Sequence, residues 1–179
     1  MNRAAKLSLI SYILSRLGDK REYYGKIVIQ KIIYYLQEAE NVNLGYRFKF
    51  YHYGPYSEEL NRDLQVMELN GIIESKVDPR GMGYSITVNK NKFEEFAGTK
   101  KLGASKIKSD KILEDFGLYG PSRLELFATI HFIFKDLCKK HRGASLKNRV
   151  VDIVKEMKPK YSASQIRESY DKLRELGYI

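Results

Sequence analysis

Lysines and arginines crowd the second half of this 179-residue chain, at spacings that suit phosphate binding. Lys135, Lys139, Lys140 and Arg142 close one amphipathic segment, and Lys147, Arg149, Lys155, Lys158 and Lys160 flank the next. Ser164, Gln165 and Arg167 open the last segment, where side chains of a recognition helix reach base edges while lysines hold the backbone. Arg80, in a turn rich in glycine, is a further candidate contact. The plainer account is that basic residues at helix C-termini complement the helix dipole and that exposed lysines are ordinary solvation.

Other chemistries fit less well. His52, His131 and His141 fall in different segments with a single cysteine, Cys138, so no metal-ligand spacing exists and no cofactor is expected. His131 lies in an apolar segment, as a satisfied core histidine does, and Cys138 reads as a buried small hydrophobe. Gly81-Met82-Gly83 lacks the strand-to-helix setting of a phosphate loop. Glu58, Glu59 and Asp63 cluster near a helix start, where the dipole explains them, so the chain reads as non-enzymatic.

The net charge is +10. Residues 1–99 carry 14 lysines and arginines against 12 acids, and residues 100–179 carry 18 against 10, so +8 of the excess lies in the second part. Such an excess suits a polyanionic partner such as double-stranded DNA. The most apolar stretch, 126–134, is far shorter than the roughly 20 residues that span a bilayer. With no signal-peptide pattern, the expectation is a soluble cytoplasmic protein without a membrane partner.

The elements that must position these residues are mainly helical. Leu7, Ile10, Ile13, Leu14 and Leu17 recur at helical spacing and stop at Gly18. A second helix, about 26–40, is apolar around most of its circumference, as a central helix is. Residues 46–51 alternate like a half-buried strand, with Tyr46, Phe48 and Phe50 on one face. Gly54-Pro55 stops that strand, Ser57 caps a helix with the stripe Leu60, Leu64 and Met67, and Gly71 ends it. Strands at 72–77 and 84–88 then form a hairpin whose turn holds Arg80.

Beyond a linker at about 98–105, Ile107, Ile112, Leu113 and Phe116 suggest a helix. Ser122 and Glu125 suggest a capping box for a long one. A helix at about 146–158 is stopped by Pro159, and the last starts at Ser162 with Gln165. Sliding the sequence by 106 positions pairs Leu60, Leu64, Met67, Gly71 and Ile73 with Ile166, Tyr170, Leu173, Gly177 and Ile179. The echo is either a duplication or two amphipathic helices with a common ending.

Lys26-x-x-x-Gln30-Lys31-Ile32-Ile33-Tyr34-Tyr35-Leu36, followed by Phe50-x-x-Tyr53-Gly54-Pro55-Tyr56-Ser57-x-x-Leu60, resembles the YwgA-like proteins of bacteria and archaea. More distantly it is similar to the Panacea antitoxin domain. The resemblance covers about residues 6–75 and implies a helical, winged-helix-like protein. The YwgA-like group brings no settled activity, whereas Panacea domains are thought to neutralise toxins by protein contact. This chain lacks the tryptophan those domains carry before the Gly-Pro turn and adds a basic second part.

The expected fold is thus mainly α with a small β-hairpin (α+β): a winged-helix-like domain at 1–97, and a basic helical domain at 106–179 ending like a helix-turn-helix. The helix at 57–70 carries Glu58, Glu59, Asp63 and Glu68 against Arg62, a net charge of −3 that suits a scaffold better than a DNA reader. The leading expectation is a DNA-binding protein, a transcriptional regulator, that anchors on duplex phosphates through Lys139, Lys140, Arg142, Lys147, Arg149 and Lys160, with Arg80, Ser164, Gln165 and Arg167 as further contacts. The alternative is a protein-interaction module, antitoxin-like or an adaptor, that uses Tyr51, Tyr53 and Tyr56. A dimer would suit the DNA role, but no interface signature demands one.

Overall fold

Residues 28–36 are buried without exception, so the helix that carries them, α2 (Lys26–Glu38), is the axis of the molecule. The computed structural model describes residues 1–21, 24–78, 81, 84–89, 91–92, 102–140 and 146–179, and of Lys140 the backbone only. Before α2 stands α1 (Arg3–Lys20), capped by the Asn2 side chain, which accepts from the Ala5 amide at 2.9 Å. After it come β1 (Lys49–Tyr51), β2 (Gly54–Tyr56), α3 (Glu58–Leu69), β3 (Ile73–Val77) and β4 (Tyr84–Val88). The chain then runs through α4 (Ala104–Phe116), α5 (Pro121–Lys140), α6 (Leu146–Met157) and α7 (Ala163–Glu175).

The protein is therefore mainly helical, with two small antiparallel sheets of two strands each. α2 packs against α4, α5 and β2; α1 against α4 and β4; and α5 also against α6 and α7. One apolar core runs from Leu7 to Tyr178 and draws on helices from both sides of residues 98–105. Of that segment, Ala104 already begins α4, while 98–101 lie outside the described residues.

Burial alternates along residues 46–51 as the sequence pattern requires, with Tyr46, Phe48 and Phe50 turned inward and Arg47, Lys49 and Tyr51 exposed, and buried Val42 and Leu44 precede them. The ladder is shorter than that pattern. Only Lys49–Tyr51 finds a strand partner, because the Gln37 side chain takes both backbone groups of Tyr46, at 2.9 and 2.7 Å. α3 followed by the β3–β4 hairpin keeps the helix-then-wing order, while β1 pairs with β2 and not with the wing.

Three further expectations are corrected. α5 opens at Pro121, where a missing amide costs nothing, and its first bond runs from the Leu124 amide to the Gly120 carbonyl. Glu125 therefore does not close a capping box; it is buried among lysines. Cys138 is exposed, since Leu137 faces the core and the next residue is turned about 100° away. Ile107 is likewise exposed on α4.

The echo at 106 positions has a counterpart in three dimensions. Leu60, Leu64 and Met67 are buried on α3 as Ile166, Tyr170 and Leu173 are on α7. Both helices end on a left-handed glycine, Gly71 at φ +65° and Gly177 at +77°, and the next amide returns to Met67 or Leu173 at 2.9 Å in each case.

Gly54, at φ +79°, has no room for a side chain: a Cβ there would stand 2.8 Å from Thr129 Oγ1. Gly45, at +73°, faces open space. Gly54→Ala is expected to cost about 2–5 kcal/mol, left-handed strain plus overpacking, against about 1–2 kcal/mol for Gly45→Ala. Urea denaturation of the two variants measures the difference, and equal losses would show that β2 is not pressed against α5.

Candidate functional site

β1 and β2 join through a tight turn, His52-Tyr53, with Lys49 opposite Tyr56, Phe50 opposite Pro55 and Tyr51 opposite Gly54. Two adjacent side chains of α2 hold this hairpin from below. Gln30 uses its carbonyl and its amide to bond the backbone N–H and C=O of Ser57, both at 2.9 Å. Lys31, only 1% exposed, donates to the Pro55 carbonyl at 2.7 Å. A proline at that position has no amide to misplace, and its carbonyl is free for the ammonium.

A second lysine reaches the same turn from the other side of the molecule. Lys158, in the α6–α7 connection, donates to the His52 carbonyl and to Glu125 Oε1, the latter at 2.7 Å. Lys160 donates to Glu125 Oε2 at 2.9 Å. Glu125 is 3% exposed, so one buried carboxylate serves two ammonium groups, with Lys31 close by. Burial pushes the Lys31 amine down to about 7; Lys158 adds to that effect and Glu125 opposes it. The bond to Glu125 raises the amine of half-exposed Lys160.

Above this clamp the aromatic side chains are on view. Tyr51 is 58% and Tyr53 56% exposed, whereas Tyr56 is half-buried with its ring 5.7 Å from that of Tyr51. His52 is exposed beside them, its ring 4.5 Å from Tyr51.

The residues expected to bind nucleic acid do not form one unpaired patch. Lys147 donates to both oxygens of Asp171 at 2.6 and 2.7 Å, and Lys160 is held by Glu125. Gln165 closes a capping box with Ser162, while Ser164 shares a hydrogen bond with the Ser162 hydroxyl at 2.8 Å. Arg167 donates to Asn148 at 2.9 Å and stays exposed, as do Lys139 and Arg149. Arg80, Arg142 and the Lys140 side chain lie outside the described residues.

α3 keeps its acids occupied with the fold. Asp63 is buried, accepts from the Tyr46 hydroxyl at 2.7 Å and pairs with Lys6 at 3.0 Å. Glu59 bonds Ser57 and Arg47, and Glu68 accepts from the Ser75 amide. His131 is buried, shares a 2.7 Å hydrogen bond with Tyr34, and is driven by burial down to about 4, so it is neutral at pH 7. It borders a hollow of about 260 Å³ that also exposes Glu38, Lys135 and Cys138, where Lys135 donates to Glu38 at 2.6 Å. Among the described residues no group of three His, Cys, Asp or Glu side chains could hold a metal, and no helix is long and apolar enough to cross a membrane.

Lys31, Gln30 and Glu125 were not singled out as site residues by sequence reasoning, and Lys158 was read as part of a phosphate-binding patch, not as a buried clamp. The signal was present for two: a lysine between the apolar runs 27–29 and 32–36 of α2, and a glutamate between Leu124 and Leu126 on the buried face of α5. No protein-family model matches the chain, and no curated protein matches it.

Because the folded protein holds the Lys31 amine near 7 while the unfolded chain holds it near 10.4, the unfolded state binds more protons between those values. This group therefore adds stability as pH rises from about 7 toward 10 and withdraws it as pH falls. Chemical denaturation across that range is expected to show wild type gaining on Lys31→Met, and parallel profiles would contradict the burial of this charge.

Proposed function

We propose that this chain is a protein-interaction module, antitoxin-like or an adaptor, that acts in the cytoplasm and docks its partner on the tip of the β1–β2 hairpin. The observation that carries this reading is the pairing of opposites in one turn: Tyr51 and Tyr53 more than half exposed, on a backbone bonded from beneath by Gln30, Lys31 and Lys158. Tyrosine gives large contact area with few rotamers to freeze, and a braced turn lowers the ordering cost of binding further. The similarity to Panacea domains, which act by protein contact, supports the same reading.

Capture on immobilised protein is expected to return a defined partner that Tyr53→Ala loses while keeping its thermal melt, since an exposed substitution shifts stability by only about 0.5 kcal/mol. A partner retained equally by Tyr53→Ala would remove the hairpin from the interface.

The second reading is a DNA-binding protein, a transcriptional regulator that contacts double-stranded DNA. It is supported by the net charge of +10 and by the exposed start of α7, where Ser164, Gln165 and Arg167 face water. It is weakened by the ion pair that binds Lys147 to both oxygens of Asp171. It predicts retention of duplex DNA at about 50 mM salt and a fall of about tenfold or more by 200 mM. No retention at the lower salt would end it.

A further inference from the structure

The charge beneath the hairpin is unbalanced. Lys158 and Lys160 share one carboxylate, Glu125; Lys158 also bonds the His52 carbonyl, and Lys31, its amine lowered by burial to about 7, bonds the Pro55 carbonyl. Carbonyl dipoles satisfy an ammonium's hydrogen bonds but do not cancel its charge, and burial lets that charge act over a longer range than it would in water. On the outer face of the same segment Lys49 is exposed two residues before Tyr51, so β1 presents a cation and an aromatic ring on one side. Tyr56 stands directly opposite Lys49 in the ladder, and Glu58 bonds its hydroxyl, so one carboxylate of α3 accompanies this face.

The sheet is also incomplete. Among the described residues β1 pairs only with β2, and no strand lies beside its other edge. β2 cannot offer an equivalent edge, because Gly54 is pressed against Thr129 and Pro55 is buried. An open edge takes an extended chain by main-chain hydrogen bonding, with selectivity supplied by the side chains that line it.

We infer that the hairpin takes an acidic peptide segment in extended form, laid along the outer edge of β1 with its carboxylates toward Lys49 and Lys160 and its apolar side chains against Tyr51 and Tyr53. This inference rests on the docking role proposed above and adds the chemistry of the partner. The strand edge favours a peptide over a single-stranded nucleic acid, which would use the same lysines and rings but needs no backbone edge.

The test is selection of random displayed peptides on the full-length chain at about 50 mM salt, where exposed charges are weakly screened. Recovered peptides are expected to be enriched in Asp and Glu, to bind Tyr53→Ala about tenfold more weakly or worse, and to bind Lys49→Gln and Lys160→Gln about threefold more weakly, with the lysine effect shrinking as salt rises. Lys49 is exposed, so Lys49→Gln reports even where Lys160→Gln disturbs Glu125. Peptides that need Tyr53 but show no acidic enrichment, or that ignore both lysine variants, would overturn the acidic partner and leave the docking role standing. Peptides indifferent to Tyr53→Ala, or no peptides at all, would overturn both. Displacement of the peptides by a thymidine oligonucleotide whose own binding needs Tyr53 would overturn the inference in favour of nucleic acid.

Discussion

The buried ammonium of Lys31 is the constraint from which much of this molecule follows. It stands in the middle of a helix that is enclosed on all sides, so it must find an acceptor inside the protein or carry the full penalty of an unmet charge. Its acceptor is the Pro55 carbonyl, and that places the β1–β2 hairpin directly over α2. Lys158 meets the same turn from the opposite direction and brings Glu125 with it, so α2, the hairpin, α5 and the α6–α7 connection converge on a few polar atoms. A buried network of this kind adds little net stability, but separating its members costs about 3–5 kcal/mol, which disfavours any arrangement that pulls these elements apart.

The same bookkeeping explains why a strongly basic protein displays less usable positive charge than its composition suggests. Cations near the ends of α5, α6 and α7 are paired with carboxylates: Lys135 with Glu38, Lys147 with Asp171 and Arg123 with Glu168. Exposed pairs of this sort contribute little to stability, yet each one occupies a side chain that a phosphate would otherwise engage. On α7 the three basic and three acidic residues balance, so its field is neutral although its start is accessible. Beneath the hairpin Lys158 and Lys160 share the single carboxylate of Glu125, and the positive charge that remains lies beside exposed tyrosines.

The helices were legible from the sequence because they depend on local rules. Apolar residues three and four apart place α1, α3 and α7 on the core, while Ser57, Ser162 and the glycines after α3 and α7 mark their ends. The alternation of Tyr46, Phe48 and Phe50 with Arg47, Lys49 and Tyr51 was equally legible, since a period of two is a local pattern. The length of β1 was not, because a ladder depends on a partner strand and Gln37 had already taken the backbone of Tyr46. Glu125 fits a capping motif by spacing alone; its real partners lie 33 and 35 residues away in the chain.

By itself the sequence determined a mainly helical protein, the positions of its helices, the Gly-Pro turn with its tyrosines, and a charge excess in the second part. These follow from periodicity, capping and composition, which act between neighbours. Only the tertiary structure decided which charges remain available. Whether a lysine is a surface cation, a helix-end partner or a buried clamp depends on which carboxylates and carbonyls the fold delivers to it from distant positions, and no local pattern encodes that delivery.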